Sequence, residues 1–202
     1  MIRLILVRHG VTVCNENKLM SGLTDSILSE KGKLQANKLA KYLKYEKIDK
    51  IYITPFSRTR ETIKKLVEFK NIQIEETSRL NEINFGDFES LSFNEIENIY
   101  PEEVDKMINE GFKYKYPNGE SLEETFYRVR DEIKKIINEN DNSTILICSH
   151  GGTIRNIISY LLCNDYKYHW NFKIDNASIT DIEIENNFAV IKKINDITYL
   201  DI

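Results

Sequence analysis

Two apolar runs in this chain end in the same way. Leu4 to Val7 leads into Arg8-His9-Gly10, and Ile145 to Cys148 leads into Ser149-His150-Gly151-Gly152. Each reads as a fully buried strand that stops at a polar, glycine-bearing loop. In an open α/β sheet the loops beyond the carboxyl ends of parallel strands converge on one crevice. A chain built this way brings His9 and His150 together although 141 positions separate them. These are two of only three histidines, so their placement at such loops points to a ligand site.

The rest of the chain agrees with a repeated strand-helix plan. Ser29 is placed to cap a helix whose Ala36, Leu39, Ala40 and Leu43 share one face. A strand over Ile48 to Ile53 is stopped by Thr54-Pro55, and Ile63, Leu66 and Val67 mark the next helix, which puts Ser57-Arg58 at a further strand-to-helix junction. Gln73 to Glu75 reads as a short strand and Leu80 to Leu91 as an irregular loop, followed by short helices over Phe93 to Tyr100 and Pro101 to Glu110. Ser121 and Glu124 have capping-box spacing ahead of an apolar stripe from Phe126 to Ile137, which feeds the Thr144 to Cys148 strand and a helix carrying Ile154, Ile157, Ile158, Leu161 and Leu162. Ser178 to Glu185 and Phe188 to Ile194 flank Asn186-Asn187 and predict a terminal hairpin. The expected fold is a single α/β domain over residues 1–202, a three-layer α/β/α sandwich with a mostly parallel central sheet.

Composition narrows the partners. A length of 202 residues suits one core, and a net charge of -4 argues against a nucleic-acid or anionic-membrane surface. Any anion site must then be a local basic pocket. Cys14, Cys148 and Cys163 are odd in number and lack a CxxC pair, so no disulfide framework is expected and a reducing cytoplasm fits best. Met1 runs directly into the first strand without a secretory h-region, and no apolar stretch approaches a membrane span.

The residues at the three junctions support phosphoryl chemistry. A neutral imidazole attacks phosphorus when its other nitrogen is fixed as a donor, and His9 beside Arg8 is the candidate nucleophile. Arg8 and Arg58 would grip phosphoryl oxygens through paired hydrogen bonds, with His150 as a further donor, an arrangement that needs no magnesium or other metal. Cleavage also needs a proton for the leaving oxygen. Glu82, in the loop Leu80-Asn81-Glu82-Ile83-Asn84-Phe85-Gly86, is the choice over its neighbours Asp87 and Glu89.

These residues carry a wider likeness. Leu6-Val7-Arg8-His9-Gly10 with Thr12 and Asn15, then Gly22, Asp25, Leu28 and Gly32, resembles the phosphohistidine motif of the histidine phosphatase superfamily, the phosphoglycerate mutase-like group. Thr54 to Thr62 resembles its second arginine motif, and Phe85-Gly86-Asp87-Phe88-Glu89, Pro117-Asn118-Gly119-Glu120-Ser121, Ser149-His150-Gly151-Gly152 and Asn195-Asp196 follow in family order. The resemblance implies a phosphohistidine at His9, phosphate held by Arg8, Asn15, Arg58 and His150, Glu82 as acid and base, a substrate pocket reached by Ser21, Gly22 and Gly151, and no cofactor. The expected partner is a small-molecule phosphate ester, with monomer and homodimer both open. The branch most similar is that of the α-ribazole phosphatases and broad-specificity phosphatases, with α-ribazole 5'-phosphate as the expected substrate. A bisphosphoglycerate-dependent mutase and an inactive phosphoprotein-binding module are the alternatives. Ser90 stands where a glycine usually follows the glutamate, and Tyr199 where a histidine is often found.

Ordinary roles are weighed beside these. Arg60 reads as structural and Cys14 as a small packing residue. The alternating Lys113-Tyr114-Lys115-Tyr116 segment reads as a solvated face with packed rings rather than a lid, and His169-Trp170 as core or rim packing as readily as a base-stacking pair.

Overall fold

The computed structural model describes residues 1–201. Its centre is one six-stranded sheet in the order β3-β2-β4-β1-β5-β6, built from β1 (Ile2–Arg8), β2 (Lys50–Ile53), β3 (Ile74–Glu76), β4 (Thr144–Ser149), β5 (Ile179–Glu185) and β6 (Phe188–Asp196). The first four strands are parallel, and the terminal hairpin adds two antiparallel strands on one side. Asn186 and Asn187 turn the hairpin with φ of 50° and 63°, the conformation a two-residue loop needs.

Period-two alternation along the strands assigns the two faces. Leu4, Leu6, Tyr52, Ile145 and Ile147 point to one core, where α6 (Leu122–Asn138) and α7 (Gly151–Cys163) supply Val129, Ile133, Ile154 and Ile158. Ile5, Val7, Ile51, Ile53 and Leu146 point to the other, against α2 (Glu30–Tyr42) and α3 (Ser57–Lys70), which supply Leu39, Ala40, Ile63 and Leu66. Each such buried aliphatic side chain contributes roughly 1.5–3 kcal/mol. The three-layer α/β/α sandwich is therefore dictated by which residues alternate on β1, β2 and β4.

The helix boundaries follow their caps. Ser29 accepts from the Gly32 N–H at the start of α2, and Ser121 and Glu124 form a reciprocal capping box at the start of α6. α4 (Phe93–Ile99) and α5 (Pro101–Glu110) stand where expected, with Pro101 in the first turn of α5. Two segments are more regular than the sequence suggests. The Val11 to Ile27 loop contains a one-turn helix, α1 (Val13–Glu16), boxed by Thr12 and Asn15, and the Leu80 to Leu91 stretch holds a 3-10 turn over Gly86–Phe88 with another at Ser78–Leu80. β3 lies one residue later than the Gln73 to Glu75 expectation, as befits a three-residue edge strand. No helix among the described residues is long and apolar enough to cross a membrane.

Candidate active site

The strand register itself pairs the two histidines. β1 and β4 are parallel neighbours with Val7 opposite Cys148 and Arg8 opposite Ser149, so the next residues out of the sheet are His9 and His150. Their connections leave for opposite faces, β1 towards α2 and β4 towards α7, which makes this the switch point where an α/β sheet opens a crevice. The His9 N–H donates to the Ser149 carbonyl at 3.0 Å, and the two imidazole centroids lie 5.2 Å apart.

His9 is only 5% exposed. Its Nδ1 donates to the Gly10 carbonyl at 2.8 Å, while Nε2 makes no hydrogen bond to the described residues. That contact selects the tautomer whose lone pair is on Nε2. Burial, with Arg8 and then Arg58 adding like-charge repulsion, holds the ring well below the ordinary histidine range, so it is neutral at physiological pH.

Arg8 lies alongside. Its Nη1 donates to the Ile174 carbonyl at 2.7 Å, and its Nε is buried without a partner among the described residues. An orphaned guanidinium donor in a buried cleft is costly unless a ligand oxygen meets it. Gly151 allows this packing, because a Cβ there would stand 3.3 Å from the Arg8 guanidinium carbon.

Arg58, at the start of α3, is 1% exposed, stacked 4.2 Å from the Phe56 ring centroid. Its Nε donates to His150 Nδ1 at 3.2 Å, Nη1 to the Thr24 carbonyl at 2.7 Å and Nη2 to the Gly22 carbonyl at 2.6 Å. Since arginine can only donate, His150 Nδ1 is the acceptor, and its Nε2 donates to Thr54 Oγ1 at 2.9 Å. His150 is thus neutral with both nitrogens engaged; burial and the Arg58 charge depress it well below the usual range.

Glu82 arrives from the far side of the cleft. Its Oε2 accepts from the Gly152 N–H at 2.9 Å and its Oε1 from the Ile83 N–H at 3.1 Å. The loop that carries it is pinned by Ser149 Oγ on the Leu80 carbonyl, Thr153 Oγ1 on the Asn81 carbonyl, and Arg128 of α6 on the Arg79 and Asn81 carbonyls. The Glu82 charge acts on Arg8 and Arg58 alike, opposing the burial that pulls both arginines down.

The remaining expected residues divide into two groups. Asn15 caps α1, its Oδ1 accepting from the Thr12 N–H at 3.1 Å, which leaves its Nδ2 free of the described residues. Ser21 and Gly22 are engaged within their loop: Ser21 Oγ donates to the Thr24 carbonyl, and the Gly22 N–H donates to Glu89. Arg60 pairs with Glu76, Tyr114 and Tyr116 pack into the cluster around Phe88, and His169 is buried while Trp170 is exposed.

Glu89 does work that motif reading does not reveal. Its carboxylate accepts the N–H groups of Gly22, Leu23, Thr24 and Phe85 at 2.9 to 3.1 Å, fixing the two carbonyls that aim Arg58. Thr54, Arg128 and Asn176 are likewise outside the sequence-based site.

The family model for the histidine phosphatase superfamily (branch 1) matches residues 4–197. The chain belongs to this superfamily. Phosphoserine phosphatase 1 of Hydrogenobacter thermophilus is 35% identical over 96% of this chain and 92% of its own, and the adenosylcobalamin/α-ribazole phosphatase of Salmonella typhimurium is 29% identical over 96% of both. The crystal structure of a putative α-ribazole-5'-P phosphatase from Escherichia coli K-12 superposes with a TM-score of 0.92 at 26% identity, covering 96% of each chain.

In this phosphatase of the histidine superfamily the two departures from the motif have different structural consequences. Ser90 has φ of 65°, the left-handed region where glycine is at ease, so the serine carries a local backbone cost. Tyr199 is buried, stacks on Tyr42 at 4.9 Å and donates its hydroxyl to the Ala177 carbonyl, tying the chain end to the loop beside His9.

Proposed function

We propose that this phosphatase hydrolyses small phosphate monoesters through a phosphohistidine at His9, without a metal ion. The observation that carries the reading is the pairing of a neutral His9, locked by Gly10 with Nε2 free, and a buried Arg8 Nε that lacks a partner beside it.

In the first half-reaction His9 Nε2 forms a bond to phosphorus as the ester P–O bond breaks, and Glu82 gives its proton to the leaving oxygen. In the second, Glu82 takes a proton from water, the water oxygen attacks phosphorus, and the P–N bond breaks to release inorganic phosphate. Arg8, Arg58 and Asn15 Nδ2 hold the equatorial oxygens, where charge concentrates. His150, neutral throughout, joins them as a donor when its Nε2–H exchanges Thr54 Oγ1 for a phosphoryl oxygen, its Nδ1 still accepting from Arg58. Such acid–base assistance contributes roughly 10²- to 10⁴-fold, the loss expected for Glu82→Gln.

Hydrolysis is favoured over phosphoryl return to an acceptor. The segment from Leu91 to Tyr116 folds as α4 and α5 over the Phe88 cluster and carries no arginine for a second phosphate. Among esters, phosphoserine stands first and α-ribazole 5'-phosphate second, in the order of similarity of the relatives named for them. The test is phosphate release in EDTA from a panel of both esters, sugar phosphates and phosphoglycerates. Release from phosphoserine at the highest kcat/KM supports the reading; a folded protein that releases phosphate from none of them overturns it.

A further inference from the structure

The connection between α7 and β5 lies in none of the expected motifs, yet it closes the back of the nucleophile. Ile174 accepts from Arg8 through its carbonyl, and the Ala177 N–H donates to the Arg8 and His9 carbonyls at 3.1 Å each. The segment is anchored elsewhere by Asn195, whose Oδ1 accepts from the Asp175 N–H at 2.6 Å and whose Nδ2 donates to Asp175 Oδ2 at 2.9 Å. Between these anchors Asn176 Nδ2 reaches three acceptors: the His9 carbonyl at 3.1 Å, the Gly10 carbonyl at 3.3 Å and Asn15 Oδ1 at 3.0 Å.

The chemistry of this contact is one-directional. All three partners are oxygens, so only the NH₂ of the Asn176 amide can face them. The Gly10 carbonyl is the same oxygen that accepts from His9 Nδ1 and fixes the nucleophilic tautomer. Asn15 Oδ1, held by Thr12 N–H and Asn176 Nδ2 together, cannot exchange places with its own Nδ2. Both Asn15 amide protons are therefore directed away from these anchors and kept for a ligand oxygen. From this we infer that Asn176 is a positioning residue, which orients Asn15 and the His9–Gly10 pair for the phosphoryl group without touching it. The inference rests on the phosphohistidine reading and on Asn15 as a phosphate ligand.

The closing experiment is a double-mutant cycle read with orthovanadate, a mimic of the five-coordinate transition state, on purified protein. Asn176→Ala is expected to weaken vanadate inhibition and lower kcat about tenfold each, with KM changed less than threefold. Asn176→Asp keeps the size but places a carboxylate against three acceptors, and its loss is expected to exceed that of Asn176→Ala. Circular dichroism and urea unfolding of each variant verify that the comparison is made between folded proteins. In an Asn15→Ala background, adding Asn176→Ala should cost about threefold in vanadate affinity rather than tenfold, because Asn15 is gone while the His9–Gly10 pair it also orients remains. Additive losses would overturn the inference while leaving Asn15 a ligand. If Asn15→Ala alone bound vanadate as tightly as the parent, the phosphate reading of Asn15 would fail and take the inference with it.

Discussion

Arg58 and His150 are oriented as one unit: the Arg58 Nε–H points at His150 Nδ1 over 3.2 Å, and Thr54 Oγ1 closes the far side of the imidazole at 2.9 Å. A lysine has the charge but not the planar fork that meets His150, the Thr24 carbonyl and the Gly22 carbonyl together. Arg58→Lys is expected to lower kcat/KM by ~10²-fold or more, since at least two charge-assisted bonds are lost. Steady-state kinetics on the folded variant check this, and a loss under threefold would contradict it.

Glu89 acts on the same guanidinium from one layer further out. Glu89→Gln replaces one acceptor oxygen by a donor facing the N–H groups of Gly22, Leu23, Thr24 and Phe85. The expected outcome is a stability loss of ~1–3 kcal/mol in urea unfolding, with kcat/KM reduced about tenfold as the Arg58 carbonyls drift. A variant of parental stability and rate would show that the loop is held by other means.

All three histidines are kept neutral in the folded protein, chiefly by burial, with His169 pulled down to about 4 and His9 and His150 depressed beside the arginines. In the unfolded chain each titrates near ~6.5, so as pH falls the unfolded state binds protons first. Stability is full above that value and erodes from about pH 6.5 towards 4, by ~1.4 kcal/mol per pH unit for each histidine. Urea unfolding at pH 7, 6 and 5 should show midpoints falling steeply. Constant midpoints over that range would count against neutral burial.

Ser90 holds a left-handed backbone at φ 65°. Ser90→Gly relieves strain of ~1–3 kcal/mol and gives back ~0.5–1 kcal/mol in unfolded-state entropy, for a net gain of about 1 kcal/mol. Thermal unfolding reads this directly, and a lowered Tm would refute the strain assignment.

What could be seen in the sequence was local. The buried strands β1 and β4, the caps at Ser29 and Ser121, and the Asn186-Asn187 hairpin each announce themselves within a few residues, and the β1–β4 adjacency follows from chemistry placed at both strand ends. Arg60 as a structural residue and the packed rings of Tyr114 and Tyr116 were legible for the same reason. The roles of Glu89 and Asn176 were not, because their partners are backbone groups and an amide far away in sequence, with Asn176 and Asn15 separated by 161 positions. Ser21 and Gly22 were read as substrate-pocket residues from the motif; the hydrogen bonds of Ser21 to Thr24 and of Gly22 to Glu89, which hold the carbonyls under Arg58, had no local signal in the sequence. His150 was read as a further donor; that Arg58 Nε reaches its Nδ1 and Thr54 Oγ1 its Nε2 was not legible, because these contacts join residues 92 and 96 positions apart.

The central claim is that phosphorus passes through His9. Rapid quench of the enzyme with phosphate-labelled phosphoserine in EDTA, followed by peptide mapping, measures it most directly. The account predicts an acid-labile, base-stable phosphoryl group on the peptide containing His9, formed at a rate at or above kcat and missing from His9→Ala. Turnover with no label on His9, or with His9→Ala as active as the parent, would contradict it.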